Sequence, residues 1–143
     1  MITRLLVGCS VMALCVTIHA IGITAALKRL KRRGPSALRF QSHLWLFILL
    51  AVWIVLLHLV EISAWAMLFL WNGAMPDLQT AVYFSAVTYT TTGYGDVVLP
   101  VGQRLDGGIE ALTGILMCGW STGFFFAVVN RLLYDGRSAP AGA

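Results

Sequence analysis

The sequence predicts an all-α membrane protein, with three transmembrane helices per subunit and a short re-entrant helix between the second and third. Composition is the first reason. Of 143 residues, 59% are hydrophobic and only 11% charged, too little charge to cover a soluble surface. Spacing is the second. Apolar residues gather into long runs at 5–27, 44–71 and 107–133, each near the roughly 20 residues that cross a bilayer core. Charge distribution is the third. Lys28, Arg29, Lys31, Arg32, Arg33 and Arg39 cluster between two runs, and Arg131 and Arg137 follow the last. Such clustering is a topology signal, and it excludes a nucleic-acid surface as the reading of the +4 charge.

The first run spans Leu5 to Leu27, so residues 1–27 form an N-terminal transmembrane segment. A cleaved signal peptide is the alternative, because Arg4 precedes the apolar core. Leu6-Val7-Gly8-Cys9 has the form of a lipoprotein cleavage box, but it precedes the apolar core instead of following it. Cys9, Cys15 and Cys118 all lie within apolar runs, where cysteine acts as a small hydrophobe and a disulfide framework is not expected. Residues 28–43 read as a basic cytoplasmic loop, broken at Gly34-Pro35. The block lacks the every-third-residue arginines of a voltage sensor. Its five residues Lys28, Arg29, Lys31, Arg32 and Arg33 suit anionic lipid headgroups as partners.

The second run, Leu44 to Trp71, is interrupted by His58, Glu61 and Ser63, and Trp71-Asn72-Gly73 ends it with interfacial and turn chemistry. Asp77 then reads as an N-cap. Leu78 to Thr90 has about half the length of a crossing, hence a re-entrant helix. Val97 to Asp106 reads as an outer loop, Gly107 to Leu133 as the third crossing and 134–143 as a short cytoplasmic tail. With the basic cluster inside, the N-terminus lies outside and the C-terminus inside. Eight of the ten Lys and Arg residues then face the cytoplasm. A cleaved first run would reverse this.

Between the re-entrant helix and the third crossing stands Thr91-Thr92-Gly93-Tyr94-Gly95-Asp96. Non-helical backbone is tolerated at membrane depth only where it is buried in protein or lines water. Gly93 and Gly95 permit conformations that turn successive carbonyls the same way. The carbonyls of Thr91, Thr92, Gly93 and Tyr94, with the Thr91 hydroxyl, are the expected K⁺ ligands, replacing the ion's hydration shell. Tyr94 is expected to point into the protein and Asp96 to sit at the outer mouth. The C-terminal end of the preceding helix favours a cation there. One such segment supplies a quarter of a fourfold ring, which calls for a homotetramer.

Tyr83 to Asp96 resembles the pore helix and selectivity filter of small bacterial two-transmembrane potassium channels. The resemblance covers the pore domain, residues 44–133, with the first helix as an addition. It implies a potassium channel of an inner membrane, without enzymatic activity or a cofactor beyond the permeant ion. In that family an aromatic pair packs around the filter, a role that Tyr83 and Phe84 match. Thr92 stands where the family often has an apolar residue, and Val87 where some members carry a glutamate. A weakly selective cation channel and a non-conducting pore-fold subunit are the rival readings.

His58 and Glu61 share a helix face, and Glu61 lies about 15 Å below the outer end of its helix. Carboxyl groups in a bilayer need protein or water partners. Glu61 and Glu110 are therefore expected to bond to the back of the pore helix or filter, in place of a glutamate at 87. His58 is read as hydrogen-bonded, with pH sensing as the alternative. His58 to Ile62 begins an inverted zinc-protease pattern but lacks its second histidine, and His19 and His43 lie on other segments. Metal chemistry is therefore set aside. Gly114 and Gly119 are candidate hinges, and Gly119 with Gly123 forms a close-packing pair. The first helix is expected to pack peripherally.

Overall fold

The computed structural model describes residues 2–32 and 40–135. Its helices are α1 (Ile2–Arg32), α2 (Phe40–Trp71), α3 (Leu78–Tyr89) and α4 (Arg104–Asp135), with a 3₁₀ turn at Val101–Gln103. Three of the four are long and apolar enough to cross a membrane. At 12 residues, α3 spans only about 18 Å.

The loop expected at 28–43 is shorter than the sequence suggests. α1 runs through Lys28, Arg29, Lys31 and Arg32. Lysine and arginine are good helix formers, and their charge suits the negative end of the helix dipole. Arg33, Gly34-Pro35, Arg39, Arg137 and the tail from 136 lie outside the described residues. The outer loop is also shorter, since α4 already begins at Arg104 and carries Asp106 in its first turn. Asp106 is 2% exposed and pairs with Arg4 of α1 at 3.5 Å.

That pair sets the bundle's register. Arg4 meets Asp106, Gly8 lies against Ile109, and His19 meets Ser121. A constant offset of this kind means that α1 and α4 run parallel. Against α2 the offset reverses. Trp53 Nε1 donates to the Gly22 carbonyl at 3.1 Å, Gly22 packs on Leu57, and Arg29 lies over the Trp53 ring at 5.6 Å. The first helix is therefore not peripheral. It fills the groove between α2 and α4, and His19 on it is fully buried.

α3 descends antiparallel to α2. Phe84 meets Phe69 edge-on at 5.3 Å, and five residues later Tyr89 meets His58 at 5.7 Å. Its C-terminus thus stops about halfway along α2, and the chain must turn back. The apolar core lies behind it, around Trp65, Phe69, Ala81, Phe84, Tyr89 and Met117.

Candidate functional site

Both ends of α3 are held by short-range chemistry. At its start Asp77 is extended (φ −153°, ψ 166°) and accepts from Thr80 N and Thr80 Oγ1, each at 2.8 Å. These bonds, the backbone one foremost, hold the Asp77 carboxyl below the usual carboxylate range. At its end Thr91 N donates to Thr88 O and Thr92 N to Val87 O, both at 2.9 Å. This is the bond pair of a Schellman cap, which requires a left-handed residue just past the helix. Thr91 supplies it, with φ 59°.

Left-handed backbone recurs at Gly93 (φ 55°) and Gly95 (φ 78°), while Thr92 and Tyr94 do not adopt it. Alternation of this kind turns successive peptide groups to one side. The glycines are legible in the sequence, whereas the third position is not. Thr91 is β-branched, a poor residue for this region, and is held there by the helix cap.

The segment is moored at two levels. Val87 O accepts from Gly93 N at 3.2 Å as well as from Thr92 N, so it is the backbone of Val87 that grips it. Higher up, the Tyr83 hydroxyl donates to Asp96 Oδ2 at 2.7 Å. That bond holds the Asp96 carboxyl below its ordinary range. Thr92 finds a polar partner, its Oγ1 standing 2.9 Å from Thr90 Oγ1. The Tyr94 side chain is 72% exposed on its own chain.

Behind α3 lies a buried polar cluster. Tyr89, its last residue, donates its hydroxyl hydrogen to Glu61 Oε2. His19 Nδ1 stands 2.8 Å from Glu61 Oε1, and His58 Nδ1 3.0 Å from Tyr89 Oη. Ser121 Oγ of α4 sits between the two rings, 3.0 Å from His19 Nε2 and 3.2 Å from His58 Nε2. Four residues before Tyr89, the Ser85 hydroxyl meets the Ile62 carbonyl at 2.8 Å and also Glu110 Oε1. Both acids thus hold the helix at positions flanking Val87. Among the described residues, neither acid hydrogen-bonds the 91–96 segment itself.

Gly114 passes closer to α3 than any side chain allows, since a Cβ there would stand 1.8 Å from the Tyr89 carbonyl oxygen. Gly119 and Gly123 have nothing within 4 Å of that position. Of these three glycines, Gly114 is the one that packs closely within the chain. Sequence reasoning passes over His19, Ser85, Tyr89 and Ser121 as members of this shell. His19, a titratable residue in an apolar run, was the one available signal.

A family model described as "Ion channel" matches residues 44–131, more than half of the chain. The chain belongs to this ion channel family. Searches of curated proteins and of solved structures returned no match. The channel is a multi-pass membrane protein with the two-transmembrane pore-loop fold. α2 and α4 are the two family helices, and α1 precedes the matched region as an addition.

Proposed function

We propose that this channel conducts K⁺ selectively and passively, as a homotetramer, with the carbonyls of Thr91, Thr92, Gly93 and Tyr94 as its ion ligands. One observation carries the reading. A non-helical segment with left-handed residues at 91, 93 and 95 stands exposed on its own chain, beside the midpoint of a membrane-spanning helix. Backbone of that kind in a bilayer needs cover from other subunits and a water-filled axis. Four copies around an axis supply both, and neighbouring subunits supply the cover that Tyr94 lacks.

By the positive-inside rule the mouth at Asp96 faces outward and the exposed Lys28, Arg29 and Lys31 face the cytoplasm of an inner membrane, against anionic lipid headgroups. Bending of α4 is assigned to the unencumbered Gly119. Thr92, polar and bonded to Thr90, favours a second reading, a cation channel of weaker selectivity. Bi-ionic reversal potentials of the reconstituted protein, K⁺ against Na⁺, separate the two. A shift of tens of millivolts toward K⁺ supports the first, and a shift near zero overturns it. Absence of flux in liposomes holding the pure protein would mean a non-conducting subunit.

A further inference from the structure

We propose that His19, His58 and Glu61 form a binding site for one divalent transition-metal ion of the Zn²⁺ type per chain. Three ligand atoms, one from each residue, lie within 4.8 Å of one another. Two imidazoles and one carboxylate are a common zinc donor set. Zinc bonds of about 2.0–2.1 Å arranged tetrahedrally place their donors roughly 3.3 Å apart. Here His19 Nδ1 and Glu61 Oε1 are 2.8 Å apart, and His58 Nδ1 and Glu61 Oε2 3.7 Å. The Tyr89 hydroxyl, 3.0 Å from His58 Nδ1, stands at the fourth side. The widest separation, up to 4.8 Å, must shorten by about 1.5 Å for the three donors to close on one ion.

The hydrogen-bond count points the same way. Glu61 receives the Tyr89 hydrogen and faces His19 Nδ1. His19 must therefore donate from Nδ1. With the Tyr89 hydrogen already used, His58 Nδ1 must donate to Tyr89 Oη. Two neutral rings with protonated Nδ1 present two bare Nε2 atoms to Ser121. A serine hydroxyl has one hydrogen, so the metal-free neutral cluster is one donor short, in a place where polar groups are normally all satisfied.

A cation on the Nδ1 side removes the mismatch. Each ring then carries its proton on Nε2, and the two lone pairs of Ser121 Oγ accept both. Ligating histidines characteristically hand their outer N–H to such a partner. The ion also gives Glu61 a cationic partner within the bilayer. It would join α1 to α2 beside Tyr89, two residues before Thr91. The site stands independently of which ion the channel conducts.

The test uses the full chain in detergent, stripped with chelator, equilibrated with Zn²⁺ and desalted. About one zinc per chain is expected to be retained, with at least a tenfold loss in His19→Gln and none in His43→Ala, whose residue lies about 22 Å along α2 from His58. Co²⁺ on the unaltered protein guards against misfolded variants. Visible ligand-field bands of a tetrahedral nitrogen and oxygen site are expected. Substoichiometric zinc, equal retention in His19→Gln, or a thiolate-to-cobalt band assigning the metal to cysteine would each overturn the proposal. So would stability that titrates with pH in chelator while no zinc is retained, which would mean that a proton alone completes the cluster.

Discussion

His19 on α1 places Nδ1 2.8 Å from Glu61 Oε1 on α2, and both side chains are fully buried. An added helix thereby reaches the carboxylate that receives the Tyr89 hydroxyl at the end of α3. His19→Leu leaves Glu61 a donor short without opening a large cavity. The expected cost is about 1–2 kcal/mol, read as a lower unfolding midpoint in detergent. His19→Gln, whose amide can still donate, should recover part of it in the absence of metal.

Tyr83 and Asp96 give a pH dependence with a defined sign. The Tyr83 hydroxyl lowers the Asp96 carboxyl below its ordinary value of 3.8, so the folded form favours the charged acid. Its contribution is present above that ordinary value and is lost as pH falls through the lower folded one. Tyr83→Phe removes the bond and should move the acid limb of conduction upward in external pH. An unchanged acid limb would count against the mooring of the segment by this pair.

Gly114→Ala places a methyl group 1.8 Å from the Tyr89 carbonyl oxygen. α4 must then move away from α3, at a cost of about 1–3 kcal/mol for overpacking. Thermal unfolding should show the loss, and flux should fall with it. Gly119→Ala meets nothing within the chain and should leave the unfolding midpoint unchanged. Any effect of that variant on flux alone would then report bending or contacts between subunits.

Thr91→Gly tests the left-handed cap. Glycine adopts φ 59° without the Cβ penalty, so the variant should be as stable as the parent or about 1 kcal/mol more so. It also deletes the hydroxyl proposed at the inner end of the ion path. A smaller K⁺-against-Na⁺ reversal shift is expected beside that retained stability.

Loss of Ser85 probes the second acid. Ser85→Ala removes the hydroxyl that meets Glu110 Oε1, and Glu110 Oε2 already has no partner among the described residues. A buried carboxyl group left this way costs about 1–3 kcal/mol. Ser85→Ala combined with Glu110→Leu should be less destabilised than Ser85→Ala alone, because both polar partners are then gone.

The sequence by itself determined the class, the three crossings, the re-entrant α3 with its Asp77 cap, and the segment 91–96. These are local properties: run length, one capping side chain, two glycines. It also determined that Glu61 and Glu110 need partners, because a carboxylate in a bilayer is costly wherever it points. Tertiary structure alone decided who the partners are. His19 and Ser121 are 102 residues apart and meet only because α1 and α4 run parallel in register, an arrangement that no periodicity within either helix encodes. The same holds for Thr91, whose left-handed φ comes from the bonds that close α3 over it. Gly114 is likewise just one glycine in a membrane helix until the Tyr89 carbonyl is found against it. Hydropathy is a sum over one segment, whereas hydrogen-bond partners and close contacts depend on where separate segments cross.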